Sequence, residues 1–182
     1  MASRVCVAET TRLQLRELAS RDDAFIVELL NDPDFITNVG DRDIRTPEDA
    51  QRYIACGPAA SYARHGFGLY VVELKTPVVA AGLCGLLRRD THPDVEIGFA
   101  LLPRFRRHGY TLEAARAVMR LALGPLGLTR IVALTAPGNL GSIRVLEALG
   151  LVFERVVNLA EDGRESCLFV LDTARADTFP SP

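Results

Sequence analysis

Residues 104–111, Arg104-Phe105-Arg106-Arg107-His108-Gly109-Tyr110-Thr111, stand between an apolar run from Ile97 to Leu102 and an amphipathic run from Leu112 to Leu123. The first run reads as a strand and the second as a helix, so a strand feeds through a cationic, glycine-containing turn directly into a helix N-terminus. The first N–H groups of a helix lack intrahelical partners, and the helix dipole favours negative charge there. Such a turn is a natural seat for a phosphate or pyrophosphate. Arg104, Arg106 and Arg107 have no acid between them, which fits that reading.

Upstream of the turn, three strand-like runs follow one another: Phe67 to Leu74, Val78 to Leu87 and Asp94 to Leu102, with turns at Lys75-Thr76-Pro77 and Arg88 to Pro93. They predict an antiparallel meander. Further upstream, Arg12 to Leu18 alternates apolar and polar residues as a half-buried strand does. Ser20 begins a capping-box-like start to a helix with apolar Phe25, Ile26, Leu29 and Leu30, ended by Asn31-Asp32-Pro33. Thr46-Pro47 starts a second helix, expected to stop at Gly57-Pro58, with a looser, helix-compatible segment following to His65.

Downstream, the helix after the turn ends at Gly124-Pro125, and Arg130 to Thr135 is a strand. Asn139 caps a helix to Leu149 with Gly150 behind it. A last strand pair, Leu151 to Asn158 and Ser166 to Leu171, turns at Glu161-Asp162-Gly163. The strand–helix–strand unit across residues 94–135 implies one right-handed parallel crossover. The fold class is therefore α/β (α+β): a mixed, mostly antiparallel sheet with helices on both faces. One domain is expected over residues 1–182, with a core at about 10–172 and short tails.

Composition is that of an ordinary globular chain, 48% hydrophobic and 24% charged, and the net charge of −2 gives no global field for nucleic acid. The four cysteines, Cys6, Cys56, Cys84 and Cys167, form no metal-ligand spacing or disulfide framework, and Cys84 and Cys167 read as core. No run has the length of a signal peptide's apolar core or of a membrane span, so a cytoplasmic location without membrane partners is expected. No GxxxxGKS/T or GxGxxG is present, which argues against a nucleotide triphosphate or dinucleotide at the turn.

This order of elements, with the phosphate turn at its centre, resembles the GNAT superfamily of acetyl-CoA-dependent N-acetyltransferases. The family's Arg/Gln-x-x-Gly-x-Gly/Ala motif reads here Arg106-Arg107-His108-Gly109-Tyr110-Thr111, departing at Thr111. Leu101-Leu102-Pro103 before it, the helix Thr111 to Met119, and Asn139-x-x-Ser142 after it extend the likeness. Asn31-Asp32-Pro33, Thr46 to Ala50 and Thr135 to Asn139 are similar to the Rim-type branch, which acetylates ribosomal-protein N-termini; relatives act on other primary amines, including antibiotics.

The resemblance implies acetyl-CoA as cosubstrate, no metal, and an amine acceptor, either a peptide N-terminus or a small amine. Its pyrophosphate would sit on the backbone N–H groups of Arg106, Arg107, His108, Gly109, Tyr110 and Thr111, with side-chain charge from Arg106 or Arg107 and the Thr111 hydroxyl as a further donor. A bulge would splay the strand carrying Phe99 and Leu101, with a backbone N–H near Leu101 polarising the thioester carbonyl. Asn139 would bind the pantetheine arm. Many members place a tyrosine at the position of Leu146 to assist the departing thiolate; Ser142, on the same helix face, is the substitute here.

Glu96, alternating with apolar Val95 and Ile97, is the candidate general base. His65 and His92 read as surface residues. An α-amine of pKa about 7.7 is about one-sixth neutral at pH 7, whereas a lysine amine near 10.4 is neutral in about one part in 2,500, a handicap of roughly 5 kcal/mol. The acidic segment from Asp32 to Asp49 can attract a cationic acceptor. Two alternatives stay open: a small-molecule or antibiotic acetyltransferase, and a non-catalytic CoA-binding regulatory module. A monomer and a homodimer are both compatible with the sequence.

Overall fold

The structure, a computed structural model, describes residues 5–90, 92–158 and 165–174. Eight strands form one sheet in the order β1-β2-β3-β4-β5-β6-β8-β7: β1 (Cys6–Glu9), β2 (Leu13–Glu17), β3 (Leu69–Lys75), β4 (Val78–Arg88), β5 (Val95–Leu101), β6 (Arg130–Thr135), β7 (Val152–Val157) and β8 (Ser166–Asp172). Every neighbouring pair is antiparallel except β5 and β6. This is the mixed sheet with one parallel pair that the element order predicts. The turn at Glu161-Asp162-Gly163 lies outside the described residues.

Helices cover both faces. On one, α5 (Tyr110–Leu123) lays Ala114, Ala115, Val118 and Ala122 against Leu15, Leu86 and Ile97 of the sheet. Small residues at that spacing let the helix approach the strands closely. On the other face, α1 (Asp23–Leu30) and α3 (Pro47–Ile54) pack Ile26, Leu29, Ala50 and Ile54 on Val71 and Leu83. Between β4 and β5, Gly82 leaves no room for a side chain: a Cβ there would meet the Ala100 carbonyl oxygen at 2.2 Å. Cys84 and Cys167 are buried, as expected.

Four local readings change. Pro33 ends α1 but also opens a further helix, α2 (Pro33–Asn38), because Asp32 caps it by accepting from the Phe35 N–H at 3.2 Å. Gly57-Pro58 does not stop α3. The chain passes through a π-type turn at Ala55–Ala59, which accommodates the missing proline N–H, and continues as α4 (Ala60–His65). Strand β1 was not legible: Cys6 to Glu9 is four residues with no clear alternation, and it owes its conformation to pairing with β2. Asp22, rather than Ser20, reaches back to cap the chain, accepting from the Ala19 N–H at 2.9 Å.

Candidate active site

The site is built where the sheet divides. Strands β5 and β6 pair only at Val95–Ile131 and Glu96–Val132. Beyond Glu96, β5 stays with β4 through Leu101, while β6 stays with β8 along its whole length. The two strands therefore part and leave one backbone edge of β5 without a ladder. Leu102 donates its N–H to Ala81 at 2.9 Å, toward β4. By strand alternation the N–H and C=O of Phe99 and Leu101 then face the gap. The opening needs no bulge in β5, whose register with β4 runs without a shift from Val95 to Leu101. Divergence from β6 creates it, which corrects the expected cause.

The gap leads to the turn. Arg107 (φ 63°) and Gly109 (φ 78°) are both left-handed, curling the backbone ahead of α5. Alternation of this sort gathers successive N–H groups into an anion-sized concavity. The first helical bond runs from the Glu113 N–H to the Gly109 carbonyl at 3.1 Å, so the N–H groups of Tyr110, Thr111 and Leu112 precede it. The outside of the turn is braced. Arg12 donates to the His108 carbonyl at 3.0 Å, pairs with Glu113 at 2.6 Å, and lies 4.6 Å over the Tyr110 ring, on which His108 also stacks.

Arg106 differs from its predicted role. Its N–H is bonded to the Pro103 carbonyl at 3.2 Å, and its guanidinium donates to the Leu101 carbonyl at 2.8 Å and pairs with Asp32 at 2.5 Å and with Asp34. It locks the turn to α2 instead of facing an anion. Arg104 is likewise held by Glu28. Arg107 is exposed and has no ion-pair partner among the described residues, so it is the arginine of this turn whose charge is not taken up internally.

At the other end of the gap, Glu96 is only 4% exposed. Its Oε2 accepts from Arg89 Nε at 2.7 Å, and His92 Nε2 lies 3.6 Å from the same oxygen. Its Oε1 has no partner among the described residues. The His92 side chain is 10% exposed, not a surface residue, and neither ring nitrogen has a hydrogen-bond partner among the described residues. A cleft of about 540 Å3 opens beside this pair, lined by Arg64, His65, Arg88, Arg89, Asp90 and His92.

The sequence matches the acetyltransferase (GNAT) domain family over residues 12–152, a span that contains β2 to the start of β7 and so the whole gap and turn. The chain belongs to the GNAT acetyltransferase family. YkkB of Bacillus subtilis is 30% identical over 152 residues, covering 81% of this chain and 86% of YkkB. In fold, the chain is similar to RimL, a ribosomal alpha-N-protein acetyltransferase, with a TM-score of 0.77 at 15% identity over 93% of this chain and 94% of that one. It is also similar to the microcin self-immunity acetyltransferase MccE, solved with acetyl-CoA and AMP, with a TM-score of 0.75 at 17% identity over 90% and 93% of the two chains. The GNAT fold uses acetyl-CoA, so this protein is an acetyltransferase.

Other residues read from the GNAT pattern are placed as follows. Asn139 caps α6 (Leu140–Ala148), its Oδ1 accepting from the Ser142 N–H at 3.1 Å. Ser142 is half-buried, and Leu146, at the position of the GNAT tyrosine, is 1% exposed inside the core. Most of the carboxylates between Asp32 and Asp49 have internal partners. Asp32 and Asp34 hold Arg106, Asp41 holds Arg45 at 2.5 Å, and Asp49 closes the capping box with Thr46. An acidic lure for the acceptor is therefore largely neutralised. Sequence reasoning missed Arg89 and His92, whose only signal was proximity to Pro93 and the start of β5.

The contact between His92 and Glu96 has a measurable consequence. Glu96 raises the His92 pKa above its ordinary value of 6.5, against an opposing effect of burial. A raised folded value means that the imidazolium stabilises the fold fully below about pH 6.5 and that this contribution fades as pH rises through the folded value. An NMR titration of the His92 ring should give a midpoint above 6.5, and Glu96→Gln should bring it down; a wild-type midpoint at or below 6.5 contradicts the contact.

Proposed function

We propose that this GNAT protein is an N-acetyltransferase that moves the acetyl group of acetyl-CoA to a primary amine by direct attack. The observation that carries the reading is the gap between β5 and β6, which has Glu96 at one end and the left-handed turn before α5 at the other. Arg107 and the backbone N–H groups from His108 to Thr111 would hold the pyrophosphate, where charge-assisted bonds are worth about 1.5–3 kcal/mol each. The unladdered edge at Phe99 would take the pantetheine arm, with Asn139 on the opposite side; at Leu101 only the N–H is open, because its carbonyl accepts from Arg106.

Acetyl-CoA supplies an activated acetyl thioester. Leu101 aims its N–H where the carbonyl oxygen gains charge, an oxyanion-type contact. Glu96 Oε1 accepts, directly or through a water, the proton the amine loses as its nitrogen bonds to the acetyl carbon and the C–S bond breaks. Ser142 donates a hydrogen bond to the departing sulfur, which finally takes its proton from solvent. A cleft of about 540 Å3 beside Glu96 has the dimensions of a small-molecule site. This favours a small amine over a long peptide.

Thiol release from acetyl-CoA, measured against peptide N-termini, polyamines, amino acids and aminoglycosides, tests the reading. Turnover with at least one primary amine is expected; CoA binding without thiol release across the panel would replace the enzyme by a CoA-binding module. Ser142→Ala is expected to lower kcat by about 3–10-fold, the loss of one hydrogen bond of roughly 1 kcal/mol. A loss below twofold removes Ser142 from thiolate stabilisation.

A further inference from the structure

The cleft beside Glu96 is chemically lopsided. Its walls bring together three guanidinium groups, Arg64 at the end of α4, Arg88 at the end of β4 and Arg89, with the two imidazoles His65 and His92. Asp90 is the acid on the wall, and Glu96 lies behind it, reached through Arg89 and His92, which both contact its Oε2. Arg64 and Arg88 have no ion-pair partner among the described residues and reach the cleft from different elements. A second observation points the same way. His92 is nine-tenths buried; its Nε2 lies 3.6 Å from Glu96 Oε2, and its Nδ1 has no partner among the described residues. Buried polar atoms are normally satisfied, and an unsatisfied nitrogen on a residue that lines a cleft marks a place where a ligand atom belongs.

From these features we propose that the acceptor is a small zwitterion, a primary amine that also carries a carboxylate or phosphate, with its oxyanion held by Arg64, Arg88 and His92 in the cleft next to Glu96. This deepens the acetyltransferase reading and rests on it. The charge pattern matches such a molecule end for end: the ammonium goes to Glu96, where its proton is removed, and the oxyanion to the arginines. Guanidinium forks bind carboxylate and phosphate with paired hydrogen bonds, so the recognition has direction as well as charge. A neutral amine would leave those groups without a partner, and a polyamine would meet like charge. That is selection by penalty against the wrong acceptor.

The test uses matched acceptors with acetyl-CoA and thiol release: an amino acid against its amide, and an aminoalkyl phosphate against the corresponding amino alcohol. The anionic member of at least one pair is expected to have a kcat/KM at least tenfold higher, mainly through KM, and the pair that shows it tells carboxylate from phosphate. In the double variant Arg64→Gln/Arg88→Gln that preference should collapse toward unity. Equal use of acid and amide in both pairs, a preference that survives the double variant, or a peptide with an acidic N-terminus outperforming every small zwitterion would each overturn the proposal. Calorimetric titration with inorganic phosphate under saturating CoA reads the cleft without catalysis. If no amine releases thiol but phosphate binds the wild type and not the double variant, the acetyltransfer reading falls and the anion site stands. If phosphate binds both or neither, and no anionic preference is seen, the anion site is refuted.

Discussion

Glu96→Gln is expected to lower kcat/KM at neutral pH by about 10²-fold, the lower end of what a positioned general base contributes. The variant keeps the shape of the side chain and a donor–acceptor head, so the strand should persist. What it loses is the carboxylate oxygen Oε1 that faces no internal partner while Arg89 engages Oε2. The deficit should shrink as pH rises toward and past the acceptor's own pKa, because solvent then removes the proton that Glu96 removes in the wild type. A kcat/KM unchanged across the whole pH range would falsify the assignment. Circular dichroism should accompany the kinetics, since the substitution also leaves Arg89 with a neutral partner.

The largest effect on stability is expected from Arg16. In β2 it is 2% exposed, donating to both carboxylate oxygens of Asp22 at 2.8 Å and to Glu73 at 3.0 Å. Asp22 and Glu73 are themselves 6% and 4% exposed. Arg16→Leu strands two buried carboxylates, and removing one partner of a buried ion pair costs about 3–5 kcal/mol. For a chain of this length that corresponds to roughly 6–20 °C in Tm. The triple substitution Arg16→Leu, Asp22→Asn, Glu73→Gln should recover part of the loss, because it removes the charges together. A Tm within 2 °C of wild type for Arg16→Leu alone would refute the account. The triad also sets an acid limb. Burial raises the Asp22 pKa, but bonds from Arg16 and the Ala19 N–H outweigh it and hold the carboxyl below its ordinary 3.8. A depressed folded value contributes stability above about pH 3.8 that is lost as pH falls through the folded value. Urea unfolding of wild type and Asp22→Asn should therefore converge only in strong acid.

Arg16, Glu73 and Glu96 share a lesson about legibility. Alternation places Leu13 and Leu15, and Val95, Ile97 and Phe99, correctly on the α5 face. The same alternation suggests that the intervening charged residues meet solvent. They do not, because α1 and α3 cover the other face, and that cover is a tertiary fact. Pro33 and Pro58 show the complementary limit. Proline removes one N–H but does not decide whether a cap or a π-type turn will let a helix start or continue.

Local chemistry in the sequence was enough for the turn before α5, the meander before it, the crossover after it and the family, because hydrophobic period, glycine and helix start act within a few residues. Only the folded chain decided which arginine of the turn has its charge taken up internally. Arg106 and Arg107 are adjacent and alike, yet Asp32 and Asp34, more than seventy residues earlier, take up the first and leave the second. The same holds for the acceptor end. Arg64, Arg88 and His92 become one cleft only when the end of α4 meets the turn between β4 and β5. Charges act through space, and their partners are assigned by the fold.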